Sequence, residues 1–345
     1  MPLDINDKAV ELVYTPEFEF VVTGVKYAEG KNFDIKVNGN VIDSSNYKLT
    51  YKNNNLLGEA TVTVTGAKCL SGKRNFTFKI TPADMTEDIN FSISAKEVAT
   101  GGKDLVYADL KKASVGVMQS VNGKNKKLSA GRDYDKNAVK YYIDMNNNYE
   151  IDDSDIEITD KITSKDTVNE FKEKGFLTIL VRVHALESNP KCNYRGYVDG
   201  YFRVAMWDIK KVKVTNIKPR VFGKNYKKGN GKSTPMTWTD TEVAKIEDYI
   251  TFKYWTGKSD ETLLCQDLIG AYTYDSTYLD KDGFAIVPNS YKKNEKVGTA
   301  NFTIKGTGKF VGTKKVSFAI VNKAVADKMA AAGKPVEGDD DIKKD

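Results

Sequence analysis

The chain has 345 residues, 40% of them hydrophobic, with 19 Tyr and 15 Phe, enough to core two or three domains and too apolar for a disordered protein. Its 53 Lys and Arg against 47 Asp and Glu leave a net charge of +6, a weak bias toward acidic partners. No Arg/Lys stripe is interleaved with aromatics, so nucleic acid is excluded as an expected partner. One histidine and three cysteines (Cys69, Cys192, Cys265) with no CxxC exclude a histidine-cluster zinc site and a complete disulfide framework.

In chain order, Met1-Pro2-Leu3-Asp4 lacks the basic start and apolar run of a signal peptide. No apolar run approaches the roughly 20 residues of a membrane helix, so no membrane insertion is expected, and an exported protein would be represented here by a mature segment. Val37-Asn38-Gly39-Asn40-Val41 predicts a hairpin with a type I′ turn, Asn-Gly supplying the positive φ angles. Ala60, Val62 and Val64 alternate with Thr61, Thr63 and Thr65, the period of a half-buried strand. Phe76, Phe78 and Ile80 form a second alternating strand, and Thr81-Pro82-Ala83-Asp84 ends the first domain, 1–84.

The stretch Tyr51–Ile80 returns, without a gap, at Tyr291–Ile320. A shift of 240 carries Tyr51 to Tyr291, Asn54 to Asn294, Gly58 to Gly298, Gly66 to Gly306, Gly72 to Gly312, Phe78 to Phe318 and Ile80 to Ile320. A degenerate third copy lies between them. Leu177, Ile179 and Val181 match Ala60, Val62 and Val64 at an offset of 117, and Gly196, Phe202, Val204 and Asp208 match Gly72, Phe78, Ile80 and Asp84 at 124. From Tyr134 to Gly175 is 41 residues, against 11 from Tyr47 to Gly58, so the second domain, 85–208, carries a 30-residue insertion within about 135–174. The third domain, 209–322, opens on the alternating Lys211-Val212-Lys213-Val214 and has a long, aromatic first half. A short helix from Ala324 and a polar tail fill 323–345.

The spacing of Tyr, Asn, Gly-x-Ala-x-Val-x-Val-x-Gly, Gly and Phe-x-Ile resembles the C-terminal half of bacterial immunoglobulin-like repeats, over about thirty residues in each copy. Two strands cannot bury their apolar face alone, so each copy belongs to a larger sandwich. The expectation is an all-β chain of three tandem antiparallel immunoglobulin-like β-sandwich domains. The resemblance implies an exported, mostly Gram-positive, surface or secreted protein, with a structural or adhesive role rather than an enzymatic one. The partner expected is a host or environmental glycan or a surface protein, and the chain is expected to be monomeric.

Within the insertion, Asp144, Asn146, Asn148, Asp152 and Asp155 fall at positions 1, 3, 5, 9 and 12 of a loop, with the Glu150 carbonyl at position 7 and Ile151 at position 8. This resembles the calcium loop of EF-hands, and more closely the dockerin variant that ends in Asp. It implies a structural calcium ion held by hard oxygen ligands. Tyr149 stands at position 6, where such loops need a positive φ and normally use glycine. The flanks, Tyr141–Ile143 and Ile156–Ile158, read as strands rather than helices. An acidic solvated turn is the alternative. Trp238, Tyr254 and Trp255 are the second constellation: stacked on sugar rings they would make the third domain a carbohydrate reader and the chain, as the alternative function, a carbohydrate-binding segment of an extracellular polysaccharide-processing protein; otherwise they plug the domain's core. His184 is expected to start a loop, and an isopeptide crosslink is beyond a sequence reading.

Overall fold

The computed structural model describes residues 1–14, 17–19, 33–55, 57–86, 90–121, 123–158, 162, 165–215, 219–222, 251–255, 260–263, 282–287, 290, 292–293 and 296–334. The chain is all-β, and one arrangement of sheets recurs three times. A three-stranded sheet comes first in each copy: Val10–Tyr14, Phe33–Val37 and Asn40–Val41; then Phe91–Ser94, Gly116–Val121 and Lys124–Lys127; then Lys213–Thr215, Thr251–Trp255 and Asp260–Leu263. A larger sheet follows. In the first copy its order is Glu17–Glu19, Lys73–Thr81, Gly58–Gly66, Tyr47–Lys52. In the second it is Val98–Ala99, Tyr197–Ala205, Phe176–His184, Lys140–Ile143, Ile156–Ile158, and in the third Arg220–Phe222, Thr313–Asn322, Gly298–Thr307, Gly283–Ile286.

The 240-residue repeat is a repeat of register. Ala60 pairs with Phe78 and Val62 with Phe76, as Ala300 pairs with Phe318 and Phe302 with Val316. Ala60, Val62, Val64, Ala300, Phe302 and Ile304 are all fully buried, so the period of two selects the same inward face in both copies. The middle copy keeps the strand but not the alternation. Leu177, Ile179 and Val181 are buried, and so are Thr178 and Leu180 between them, the signature of a sheet covered on both faces. The predicted Asn38-Gly39 turn is present, with φ of 48° and 81° and Val37 paired to Asn40. The C-terminal helix runs Lys323–Ala331, capped by the Asn322 side chain on Val325 N–H. The strand that includes Val183 extends through His184, one residue beyond its expected end.

A further repeat was only half visible in the sequence. The first residues of each copy form a two-residue parallel strand beside the glycine corner that precedes the copy's last strand. Leu3-Asp4 pairs with Leu70-Ser71, Ala83-Asp84 with Tyr194-Arg195, and Trp207-Asp208 with Phe310-Val311. Each Asp accepts a hydrogen bond from the backbone N–H two residues on: Asn6 to Asp4 at 2.9 Å, Thr86 to Asp84 at 2.9 Å, Lys210 to Asp208 at 2.9 Å. The next residue, Ile5, Met85 or Ile209, is buried. Opposite each Asp is a glycine with positive φ: Gly72, Gly196 or Gly312. A Cβ there would lie 2.9, 2.9 or 3.1 Å from the Asp Oδ1. Only a residue without a side chain lets the carboxylate sit that close.

By compactness the chain divides into two units. The first comprises residues 1–94, 115–140 and 181–200. It holds two apolar clusters, one of Phe33, Ala60, Val62, Phe78 and Ile80, the other of Ile5, Val10, Ile35, Val64 and Leu70. The second unit comprises residues 95–114, 141–180 and 201–345. Its cluster gathers Ile209, Val212, Phe284, Ala300, Phe302, Ile304, Phe310, Val316, Phe318 and Ile320.

The glycine corner makes a controlled prediction. Gly39 has φ of 81° and open space around a new Cβ, whereas at Gly196 (φ 75°) the Cβ would meet Thr86 Oγ1 at 2.4 Å and Asp84 Oδ1 at 2.9 Å. Gly39→Ala should cost about 1 kcal/mol, the backbone penalty alone. Gly196→Ala should cost clearly more, because Asp84 and Thr86 must move as well. Urea unfolding of both variants checks the order.

Candidate metal centre

Lys140–Ile143 and Ile156–Ile158 pair antiparallel, Tyr141 with Ile158 and Ile143 with Ile156, leaving Asp144–Asp155 as a twelve-residue hairpin loop. The flanks are strands, as their sequence implies. Tyr141, Ile143 and Ile158 are buried and root the loop in the core, and Asp144 is itself only 4% exposed. Ile151 at position 8 is half-buried.

The loop folds around its own acids. Asp144 Oδ1 accepts from Asn148 N–H and its Oδ2 from Tyr149 N–H, both at 3.2 Å. Asp155, at the far end, accepts from Met145 N–H at 3.2 Å and Asp152 N–H at 2.9 Å. These bonds tie position 1 to positions 5 and 6, and position 12 to positions 2 and 9. Asp152 Oδ2 accepts from the side-chain amides of Asn146 at 2.9 Å and Asn148 at 2.7 Å, so three of the expected ligands meet at one oxygen. Asn146 Oδ1 turns onto Asn148 N–H and Asn148 Oδ1 onto Glu150 N–H, while the Glu150 side chain is exposed.

Tyr149 adopts φ of 63°, the left-handed conformation the loop demands at position 6. For a bulky residue that costs on the order of 1–2 kcal/mol. Its ring packs on Tyr201, centroids 4.7 Å apart and planes 52° from parallel, and an aromatic pair of this kind returns about 0.5–1.5 kcal/mol. Sequence reasoning had no signal for this partner, 52 residues further along the chain.

The electrostatics split the two acids. Burial pushes the Asp144 carboxyl above its ordinary value, against the pull of its backbone hydrogen bonds and with the help of the nearby Asp155 charge. Asp152 is held down at about 2, first by the Ser154 hydroxyl and backbone N–H and then by the Asn146 amide. Among the described residues no three His, Cys, Asp or Glu side chains gather into a metal-holding group by themselves. In this loop two of the five side-chain donors are asparagines. Three carboxylates, two amide oxygens and a carbonyl are nonetheless a donor set of the hard-oxygen kind that suits calcium.

Tyr254 and Trp255 close the strand Thr251–Trp255, paired with Glu261 and Asp260. Trp238 lies outside the described residues. Imidazole and phenol rings of His184 and Tyr197 lie 5.5 Å apart, and the Arg182 guanidinium, ion-paired with Asp199 at 2.7 Å, covers the Tyr197 ring at 3.9 Å. Burial and then the Arg182 charge lower the His184 pKa, favouring neutral imidazole. A helix, Lys165–Lys174, follows the loop within the insertion and buries Phe171; the strand-based sequence reading did not anticipate it.

No protein-family model matches the chain, and no curated protein matches it. Among solved structures it is similar to protocadherin gammaB7 EC3-6, at 9% identity over 92% of this chain and 78% of that one, with a TM-score of 0.18. Mouse cadherin-23 EC22-24 aligns at 11% identity over 92% and 89%, with a TM-score of 0.19. Drosophila N-cadherin EC1-4 aligns at 10% over 92% and 68%, with a TM-score of 0.17. Likenesses of this size carry no argument about the site. Among the described residues no helix is long and apolar enough to cross a membrane.

The raised Asp144 pKa sets a pH dependence. In the metal-free protein the folded state keeps this proton to a higher pH than the unfolded chain does, so Asp144 detracts from stability as pH rises through that window. Calcium requires the ionised carboxylate. Its affinity should therefore fall on acidification above the ordinary carboxylate range, and binding there should release a proton. Calorimetric titration with calcium in two buffers of different ionisation enthalpy reads both effects.

Proposed function

We propose that this chain is a non-catalytic, structural or adhesive segment of an extracellular surface protein, stiffened in its middle module by one calcium ion at Asp144–Asp155. The observation that carries the calcium reading is the loop itself, in which hydrogen bonds link Asp144 to Asn148 and link Asp152 to Asn146, Asn148 and Asp155, and Tyr149 is held at positive φ. Asp144, Asn146, Asn148, Asp152 and Asp155 would supply side-chain oxygens and Glu150 its backbone carbonyl. The ion would offset the charge of three of the loop's five acids, Asp144, Asp152 and Asp155, and tie together the two ends of the hairpin loop.

The finer reading is three modules bounded near residues 84 and 208, on a bacterial surface protein of the immunoglobulin-like repeat kind. Its support is the sheet pattern and the Asp–Gly corner that recur at both boundaries. Such a segment would hold or form a binding surface for a host protein or glycan. Glycan recognition would fall to the third module through Trp238, Tyr254 and Trp255.

Thermal unfolding with millimolar calcium and again with chelator tests the metal. A calcium concentration a hundredfold above Kd should stabilise the module by about 2.7 kcal/mol, seen as an upward shift of its transition. Asp144→Asn with Asp155→Asn should remove the shift while the protein stays folded; no shift in the unaltered chain refutes the site. A binding screen against glycans and matrix proteins, with and without calcium, tests the adhesive role. A glycan hit lost in Trp238→Ala or Trp255→Ala would assign the third module as reader.

A further inference from the structure

We infer that each module is built to carry tension along the chain, with its N-terminal and C-terminal strands joined as a shear clamp. The observation is a division of labour between the two kinds of strand pairing. Apart from the isolated bridge Ala130–Tyr134, six described pairings are parallel, two in each copy, and all six join the leading part of a copy to its closing part.

In the first copy Leu3-Asp4 runs parallel to Leu70-Ser71, and Glu17–Glu19 runs parallel to Lys79–Thr81 at the end of the last strand. In the second, Ala83-Asp84 lies along Tyr194-Arg195 and Val98-Ala99 along Val204-Ala205. In the third, Trp207-Asp208 lies along Phe310-Val311 and Arg220–Phe222 along Ile320–Asn322. The remaining described registers, which build the sheets inside each copy, are antiparallel.

The direction of pairing decides how force is shared. Tension enters a module through its leading strand and leaves through its last. When these run parallel, the two ends are pulled in opposite senses along the strand axis. Every bond between them then bears load at once, and none can fail before the others are stretched. An antiparallel pair pulled at its adjacent ends opens one bond at a time.

The bonds so loaded are short. Leu3 N–H donates to Cys69 O at 2.9 Å, Ile5 N–H to Ser71 O at 2.8 Å, Ala83 N–H to Asn193 O at 3.0 Å and Met85 N–H to Arg195 O at 3.0 Å. Thr100 N–H donates to Ala205 O at 2.9 Å and Trp207 N–H to Lys309 O at 2.9 Å. Side chains brace the same seam: Arg195 Nε donates to Asp84 Oδ2 at 3.0 Å, Tyr197 N–H to Thr86 Oγ1 at 3.1 Å, and Lys314 Nζ to Lys210 O at 2.8 Å. Ile5, Met85 and Ile209, each next to the clamp's Asp, are buried, so sliding a clamp drags apolar surface into water as well as breaking its bonds.

Slack is also missing between copies. Only Pro82 separates the last strand of the first copy from the leading strand of the second, and only Met206 does so between the second and third. Load leaving one clamp thus enters the next almost directly. The inference needs neither calcium nor a ligand, and it stands or falls apart from them.

The test is single-molecule stretching of the full chain by its two termini, in chelator. The expected record has separate unfolding steps, with Thr100→Pro, which deletes the N–H bonded to Ala205 O, moving one step to markedly lower force and leaving the others in place. A second measurement does not depend on that variant folding. Cysteines at Glu59 and Lys79, exposed cross-strand partners in the antiparallel pair, allow the first module to be pulled across its strands, with Cys69 and Cys265 replaced by Ser. The terminal pull should require severalfold more force than the cross-strand pull. Equal forces in the two directions would overturn the clamp, as would a Thr100→Pro chain that folds and unfolds at unchanged force.

Discussion

Each copy depends on a last strand that is bonded along both edges. Lys73–Thr81 lies between Gly58–Gly66 and Glu17–Glu19, Tyr197–Ala205 between Phe176–His184 and Val98–Ala99, and Thr313–Asn322 between Gly298–Thr307 and Arg220–Phe222. The second edge is bonded over the strand's closing residues, Lys79–Thr81, Val204-Ala205 and Ile320–Asn322, where backbone polar groups find partners on both sides. One edge faces the antiparallel partner that completes the apolar face, with Phe78 against Ala60 or Phe318 against Ala300. The other edge receives the start of the same copy. The last strand therefore serves both the closure of the module and the burial of its core.

The Asp–Gly corner is the fixing point of that closure. Asp4, Asp84 and Asp208 each stand over a glycine that no other residue could replace without pushing the carboxylate away. The same aspartate caps the backbone two residues on, so it orients the leading strand as well as anchoring it. Because the residue ending one copy is followed at once by the strand opening the next, a single short segment such as Thr81–Asp84 serves both. Such economy explains why the linkers are one residue long and why Pro82, which donates no hydrogen bond, is tolerated there.

The insertion of the middle copy shows how a loop can be held by its own acids. Asp144 gathers the backbone N–H groups of Asn148 and Tyr149, Asp155 reaches back to the N–H of Met145, and Asp152 gathers the two asparagine amides. Burial, with a smaller contribution from the Asp155 charge, pushes the Asp144 carboxyl above its ordinary value. The left-handed Tyr149, offset by its stack on Tyr201, shows the loop conformation being imposed against the local preference of its residue.

Sequence alone determined the strands whose side chains alternate, because inward and outward residues differ in polarity at a period of two. Ala60, Val62 and Val64, their counterparts at Ala300, Phe302 and Ile304, the Asn38-Gly39 turn and the all-β class were legible for that reason. The twelve-residue loop Asp144–Asp155 between two strands was legible because its polar residues and its flanking strands follow one another along the chain. Tertiary structure decided what comes from distant residues. The parallel pairing of Leu3-Asp4 with Leu70-Ser71 leaves no local pattern, since two residues have no period. The Tyr149–Tyr201 stack, the helix Lys165–Lys174 and the apolar second face of Phe176–His184 were likewise hidden. A side chain's need for a partner is written locally, but the partner's identity depends on how the chain returns to it.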